Sequence, residues 1–99
     1  MRRFQKEVHQ FITETEEGYW KPLAMFAALV EEVGELGRCI NAAEGVKGLK
    51  ERKEKDTWEE LKEELGDVLF ALACIANYYG VDLEREVLRS IDKYRGRTF

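Results

Sequence analysis

Thr57-Trp58-Glu59-Glu60-Leu61-Lys62-Glu63-Glu64-Leu65-Gly66-Asp67-Val68-Leu69-Phe70-Ala71-Leu72-Ala73-Cys74-Ile75-Ala76-Asn77-Tyr78-Tyr79 opens in acids and closes in a dense apolar run, and its periodicity decides the fold. At 100° per residue, Leu61, Leu65, Val68, Leu69, Leu72, Ile75 and Ala76 share one arc, which is the pattern of an amphipathic helix and not the alternation of a strand. Thr57 followed by Glu60 has the spacing of a capping box, so the helix is expected to begin there. Gly66 interrupts the pattern, and Gly80 supplies the stop.

The same reading extends in both directions. Pro22 suits the first turn of a preceding helix that runs to about Glu44, with Leu29, Val30, Val33, Leu36 and Ile40 marking its core side. Phe4, Val8, Phe11 and Ile12 set out a shorter helix from about Phe4 to Glu16, ended by Gly18. Asp82 is placed to cap a fourth helix of about a dozen residues whose apolar side is Leu83, Val87, Leu88 and Ile91. Gly45 to Asp56, with two glycines and Lys47, Lys50, Arg52, Lys53 and Lys55, reads as an exposed loop. The expectation is an all-α four-helix bundle forming one domain over residues 1–99. A chain of this length buries only roughly 60–65% of its unfolded surface, so self-association would thicken its core.

Composition narrows the function classes. Apolar residues make up 44% of the chain and charged residues 36%, which argues against disorder. A net charge of −4 argues against general nucleic-acid binding, which depends on clustered Lys and Arg. A phosphate substrate would then need a divalent cation, local basic side chains, or both. Cys39 and Cys74 lie inside apolar helical patterns and not in a CxxC pair, the usage of buried free thiols in a reducing cytosol. No run of eighteen apolar residues exists, and Met1-Arg2-Arg3-Phe4 leads into charged sequence, so a cytoplasmic protein with no membrane partner is expected.

Two helices carry paired acids. Leu29-Val30-Glu31-Glu32-Val33-Gly34-Glu35-Leu36 sets Glu32 and Glu35 one turn apart, and Glu63-Glu64-Leu65-Gly66-Asp67-Val68-Leu69-Phe70 repeats the arrangement with Glu64 and Asp67. These acids sit at or beyond the edges of the apolar arcs, where packed helices can bring them together across a cleft. Two carboxylates 4 Å apart repel by about 4 kcal/mol at an effective dielectric of 20, so convergence would call for a cation or raised pKa values. Oxygen donors without nearby His or Cys favour Mg²⁺ or Mn²⁺ over zinc, and the lack of Glu-x-x-His pairs disfavours a di-iron bundle. Any one ExxE pair is equally compatible with a solvated helix face.

Taken together, Glu31-Glu32-x-x-Glu35 and Glu64-x-x-Asp67, with residues 36–63 between them, resemble the EExxE and ExxD motifs of the MazG-type all-α nucleotide pyrophosphohydrolase superfamily. Gly80-Val81-Asp82-Leu83-Glu84 is similar to family sequence as well, and the likeness spans roughly Pro22 to Arg97. The resemblance implies four or five helices usually completed by dimerisation, and a homodimer or homotetramer is expected. It implies Mg²⁺, with Mn²⁺ as an alternative, held by Glu32, Glu35, Glu64 and Asp67. Glu31 would bind a second metal or serve as the base that activates water. The implied reaction is hydrolysis of the α–β phosphoanhydride of a nucleoside triphosphate, giving monophosphate and pyrophosphate, with a metal-bound water as nucleophile. Lys93 and Arg97 match the family's C-terminal lysine and arginine, and Arg89 and Arg95 lie beside them as further phosphate contacts.

Trp20, Lys21 and Asn77 are candidates for substrate contact. Packing is the default for Trp20 and Trp58, and stacking on a base is the functional alternative. His9 reads as a surface residue. The Lys47–Lys55 stretch reads as a solvated loop, with a lid over phosphates as the alternative. Two competing functions stay open: a non-catalytic acidic helical interaction or regulatory dimer, and a phosphoribosyl-ATP-type pyrophosphohydrolase on the same fold.

Overall fold

A computed structural model describes residues 3–44 and 54–97. Four helices appear in order, α1 (Arg3–Glu14), α2 (Pro22–Ala43), α3 (Glu54–Tyr78) and α4 (Leu83–Arg95), and no strand occurs among the described residues. The all-α expectation holds. No helix among the described residues is long and apolar enough to cross a membrane.

Three boundaries follow from local chemistry. Pro22 opens α2, where its missing N–H would have had no partner, and no side chain caps that end. Asp82 caps α4, its Oδ1 accepting from the backbone N–H of Glu84 at 3.1 Å and of Arg85 at 3.4 Å. α3 ends in a Schellman turn: Gly80 adopts φ +67°, its N–H donates to the Asn77 carbonyl at 3.1 Å, and the Val81 N–H donates to the Ala76 carbonyl at 2.8 Å. A side chain at Gly80 would have open space but a strained backbone.

Three expectations need correction. α3 begins at Glu54, upstream of Thr57, so Thr57 is a buried residue inside the first turns and not an N-cap. Glu54 and Lys55 are strong helix formers, and their propensity extends the helix past the apparent capping box. They also place Glu54, Lys55 and Asp56 in helix and not in the expected Gly45–Asp56 loop, and residues 45–53, with most of the Lys47–Lys55 stretch, lie outside the described residues. Gly66 lies inside α3, which continues through it to Tyr78 as the apolar arc implies. α1 ends at Glu14 and not Glu16, because the Thr15 hydroxyl turns the chain by accepting from the Gly18 N–H at 3.1 Å.

The core differs more deeply from expectation. The buried apolar residues are Val8, Met25, Cys39, Ala71, Ala73, Cys74 and Ala76, most of them small. Val30, Val33 and Ile40 on α2, and Leu65, Leu69 and Leu72 on α3, are exposed although their periodicity marks them as core. With Leu23 and Phe26, which are also exposed, the α2 positions step by three, four, three and then seven along the helix, the spacing of a seam that another helix covers. Cys39 and Cys74 are buried free thiols as expected, and burial pushes the Cys74 thiol above its ordinary pKa.

Contacts divide the chain into two compact units, Met1–Trp20 with Ala73–Phe99, and Lys21–Leu72. The first is organised around Gln5, which has no exposed surface. Its Nε2 donates to Asn77 Oδ1 at 3.0 Å and to the Val81 carbonyl at 2.9 Å, and its Oε1 accepts from the Leu83 N–H at 2.8 Å. Asn77 Nδ2 in turn donates to the Gln5 carbonyl at 2.9 Å. One side chain thus ties α1 to the end of α3 and the start of α4. At the edge of this network the Tyr19 hydroxyl lies 2.7 Å from His9 Nδ1, and the Tyr19 ring meets Tyr78 edge-on.

Removing Gln5 takes the partner from the Leu83 donor and from the Val81 and Asn77 acceptors in a part-buried setting. Gln5→Leu is therefore expected to lower unfolding stability by about 2–4 kcal/mol, read from urea unfolding followed by circular dichroism. A Gln5→Ala/Asn77→Ala double-mutant cycle should show coupling of about 1 kcal/mol or more. Additive losses would mean that the two amides do not act as one unit.

Candidate metal centre

Glu32 on α2 and Glu64 and Asp67 on α3 each present a carboxylate oxygen to a common point, with the three oxygens within 4.8 Å of one another. All three belong to the Lys21–Leu72 unit. Their convergence follows from helix phase. Glu64 and Asp67 are one turn apart and share a face of α3, and Glu32 meets them from the edge of α2's apolar arc. Glu32 and Glu64 are half-buried and Asp67 is exposed, so the cluster opens to solvent on the Asp67 side.

The electrostatics are those of acids crowded together. Burial pushes the Glu64 carboxyl above its ordinary range. Hydrogen bonding to Glu32 in the protonated form, and the like charges of Glu32, Asp67 and Glu35, push it further the same way. Glu64 Oε2 is fully covered, and no hydrogen-bond donor among the described residues reaches it. A buried carboxylate oxygen without a donor is costly as an anion, and a hard cation or a proton relieves it.

The donor set fits a small divalent cation. Oxygen ligands at about 2.1 Å in an octahedron stand about 3.0 Å apart when adjacent and about 4.2 Å apart when opposite. A spread of up to 4.8 Å closes to those values by small side-chain rotations. Three protein oxygens leave the remaining positions for water and phosphate, as magnesium sites commonly do.

The other expected site residues fall into different settings. Glu35 stands close enough for its charge to act on Glu64, but its Oε2 accepts from Arg38 Nη1 at 3.2 Å, and it is not one of the three converging acids. Arg38 was not singled out in the sequence, although its i, i+3 spacing from Glu35 is a readable signal. Glu31 is exposed on α2. Trp20 is exposed, with Nε1 donating to Glu17 Oε2 at 2.9 Å, and Trp58 is exposed too, so neither packs in the core of this chain. Lys21 is exposed immediately before α2. Asn77 is held by Gln5 through both ends of its amide. Lys93, Arg95 and Arg97 are exposed at the end of α4, and Arg89 donates to Glu86 at 3.2 Å.

Known proteins resemble this chain in sequence and in fold. The model of the MazG nucleotide pyrophosphohydrolase domain matches residues 21–98. YpjD of Bacillus subtilis is 42% identical over 97 residues, covering 98% of this chain and 85% of the relative. YvdC of the same organism is 38% identical over 85 residues, covering 83% of this chain and 77% of the relative. The crystal structure of B. subtilis YpjD matches with a TM-score of 0.83 at 42% identity, covering 92% of this chain and 90% of that one. That of the Bacillus-conserved MazG protein, a nucleotide pyrophosphohydrolase, matches with a TM-score of 0.75 at 40% identity, covering 96% and 88%. Matched over most of its length in sequence and in fold, and carrying paired acids on α2 and α3, this chain belongs to the MazG family of nucleotide pyrophosphohydrolases.

Proposed function

We propose that the chain hydrolyses nucleoside triphosphates to monophosphate and pyrophosphate, that it depends on Mg²⁺, and that residues 1–99 serve as one catalytic domain. The observation that carries this reading is the meeting of Glu32, Glu64 and Asp67, with a covered, donorless oxygen on Glu64. Family membership supplies the reaction class.

In this reading Glu32, Glu64 and Asp67 hold the cation, and Glu35 contributes its charge and, on releasing Arg38, a fourth oxygen. A divalent cation bound there would supply Lewis acidity toward the phosphorus, a lowered pKa for water, and neutralisation of the departing pyrophosphate. Glu31 takes the proton of the attacking water and returns it to solvent. Lys93, Arg95 and Arg97 neutralise phosphate oxygens of the substrate. Trp20 offers an exposed ring for stacking on the base, with Lys21 adjacent in sequence. Asn77 acts through the scaffold it shares with Gln5 and not by direct contact. The exposed seam on α2 and the exposed leucines of α3 support a homo-oligomer as the working form, since a monomer would leave them in water.

Turnover of a panel of ribo- and deoxyribonucleoside triphosphates, read as pyrophosphate release with product masses, tests the reaction. Monophosphate and pyrophosphate should appear together in equal amounts. Turnover confined to phosphoribosyl-ATP would replace this substrate class with another. Glu64→Gln or Asp67→Asn should lower kcat by about 100-fold or more while leaving helicity unchanged, because each removes a charged ligand and little volume. Full activity in both variants would end the assignment.

The raised Glu64 pKa gives a second readout, independent of turnover. Folded Glu64 binds its proton more tightly than unfolded Glu64, so its contribution is fully present at low pH and is lost as pH rises through the folded value. Without metal, thermal stability should therefore decline as pH rises above the ordinary carboxylate range. Mg²⁺ should raise the melting temperature more at pH 7.5 than at pH 5.5, since it competes with that proton. Glu64→Gln should flatten both responses. A Mg²⁺ shift that is equal at both pH values, or absent, would contradict the site.

A further inference from the structure

Lys93 lies in the last turn of α4 and Arg97 just past its Gly96 cap, and both close on the ring of Tyr94. Lys93 Nζ lies 4.9 Å from the ring centroid and the Arg97 guanidinium carbon 5.6 Å from it. Both are inside the roughly 6 Å over which a ring's quadrupole attracts a cation. Elsewhere on the helices, Arg3, Arg38, Lys62 and Arg89 each pair with a glutamate on their own face. Among the described residues Lys93 and Arg97 form no ion pair, so the ring gathers two cations that no carboxylate neutralises. The C-terminal end of α4 favours positive charge through the helix dipole, but the dipole does not dictate where the charged heads point. The ring does.

Two cations drawn to one ring repel each other, and an anion with several charged oxygens relieves that repulsion. The chain as a whole carries a charge of −4 and must attract a polyanionic substrate by local means. We infer that Tyr94 is a positioning residue, whose ring holds Lys93 and Arg97 together as a two-cation cradle for the oligophosphate of a nucleotide. The ligand class rests on the nucleotide-hydrolysis reading; the cradle itself rests on the contacts of the ring. Lys93 and Arg97 touch the phosphate, and Tyr94 acts through them.

Phenylalanine keeps the quadrupole and loses the hydroxyl, whereas leucine keeps apolar bulk and loses the quadrupole, so the pair separates this role from simple packing. Binding of inorganic tripolyphosphate to the full chain in EDTA, measured by isothermal titration calorimetry, reads the cradle without metal or turnover. Tyr94→Phe should bind within about twofold of the unchanged protein, and Tyr94→Leu about fivefold more weakly. In turnover, Tyr94→Leu should raise KM for the nucleotide by a similar factor with kcat held, the signature of lost uniform binding. Circular dichroism checks that α4 persists, and Tyr94→Gln makes the same comparison should the leucine variant lose helix. Equal weakening by Phe and Leu, no weakening by Leu, or no tripolyphosphate binding by the unchanged protein would each overturn the inference. Absence of turnover with every nucleotide, alongside the expected binding pattern, would instead sink the proposed reaction and leave the cradle standing.

Discussion

Crowding of like charge between α2 and α3 is the constraint on which the functional unit depends. Glu32 on α2 and Glu64 and Asp67 on α3 bring carboxylate oxygens within 4.8 Å of one another. Glu64, with its covered Oε2, bears the cost: burial, Glu32 and the charges of Asp67 and Glu35 push its carboxyl above the ordinary range. A fold that maintains such a cluster retains free energy that a divalent cation releases on binding. Stability and affinity for the metal are therefore two readings of one electrostatic arrangement.

The buried residues of the described chain are few. The residues closed off from water are small, chiefly alanine and cysteine, and the larger leucines and valines of α2 and α3 stay in contact with solvent in a single copy. Polar bonding takes over where apolar bulk is lacking. Gln5, with no exposed surface, joins α1 to the Gly80 turn and to the first N–H of α4. A buried amide with every bond made fixes one geometry, because any slip leaves several groups unsatisfied at once.

The helices were legible because their signals are local. Pro22, Gly80 and Asp82 set backbone conformation within a turn of themselves, and each does in the structure what its position implies. The start of α3 was misread because the Thr57–Glu60 spacing imitates a cap in the middle of a strong helix-forming stretch. Burial was read less well: periodicity identifies which residues share a face, not whether one chain has enough elements to cover it, so Val30, Val33 and Leu65 were assigned to a core that a single copy does not close. Gln5 gave no signal, since a glutamine on a charged helix reads as surface and its partners lie beyond residue 76. At the site, the paired motifs name the helices that carry the cluster, but spacing puts Glu32 and Glu35 on the same face, and only side-chain direction separates Glu32, which joins Glu64 and Asp67, from Glu35, which turns to Arg38.

The central claim is that these three acids hold a divalent cation. Manganese soaked into crystals of the protein and located by anomalous scattering tests it most directly, because the ion is seen independently of any turnover. The account predicts a single strong peak at about 2.2 Å from oxygens of Glu32, Glu64 and Asp67. A peak elsewhere, with those carboxylates bonded only to protein groups or to water, would contradict it.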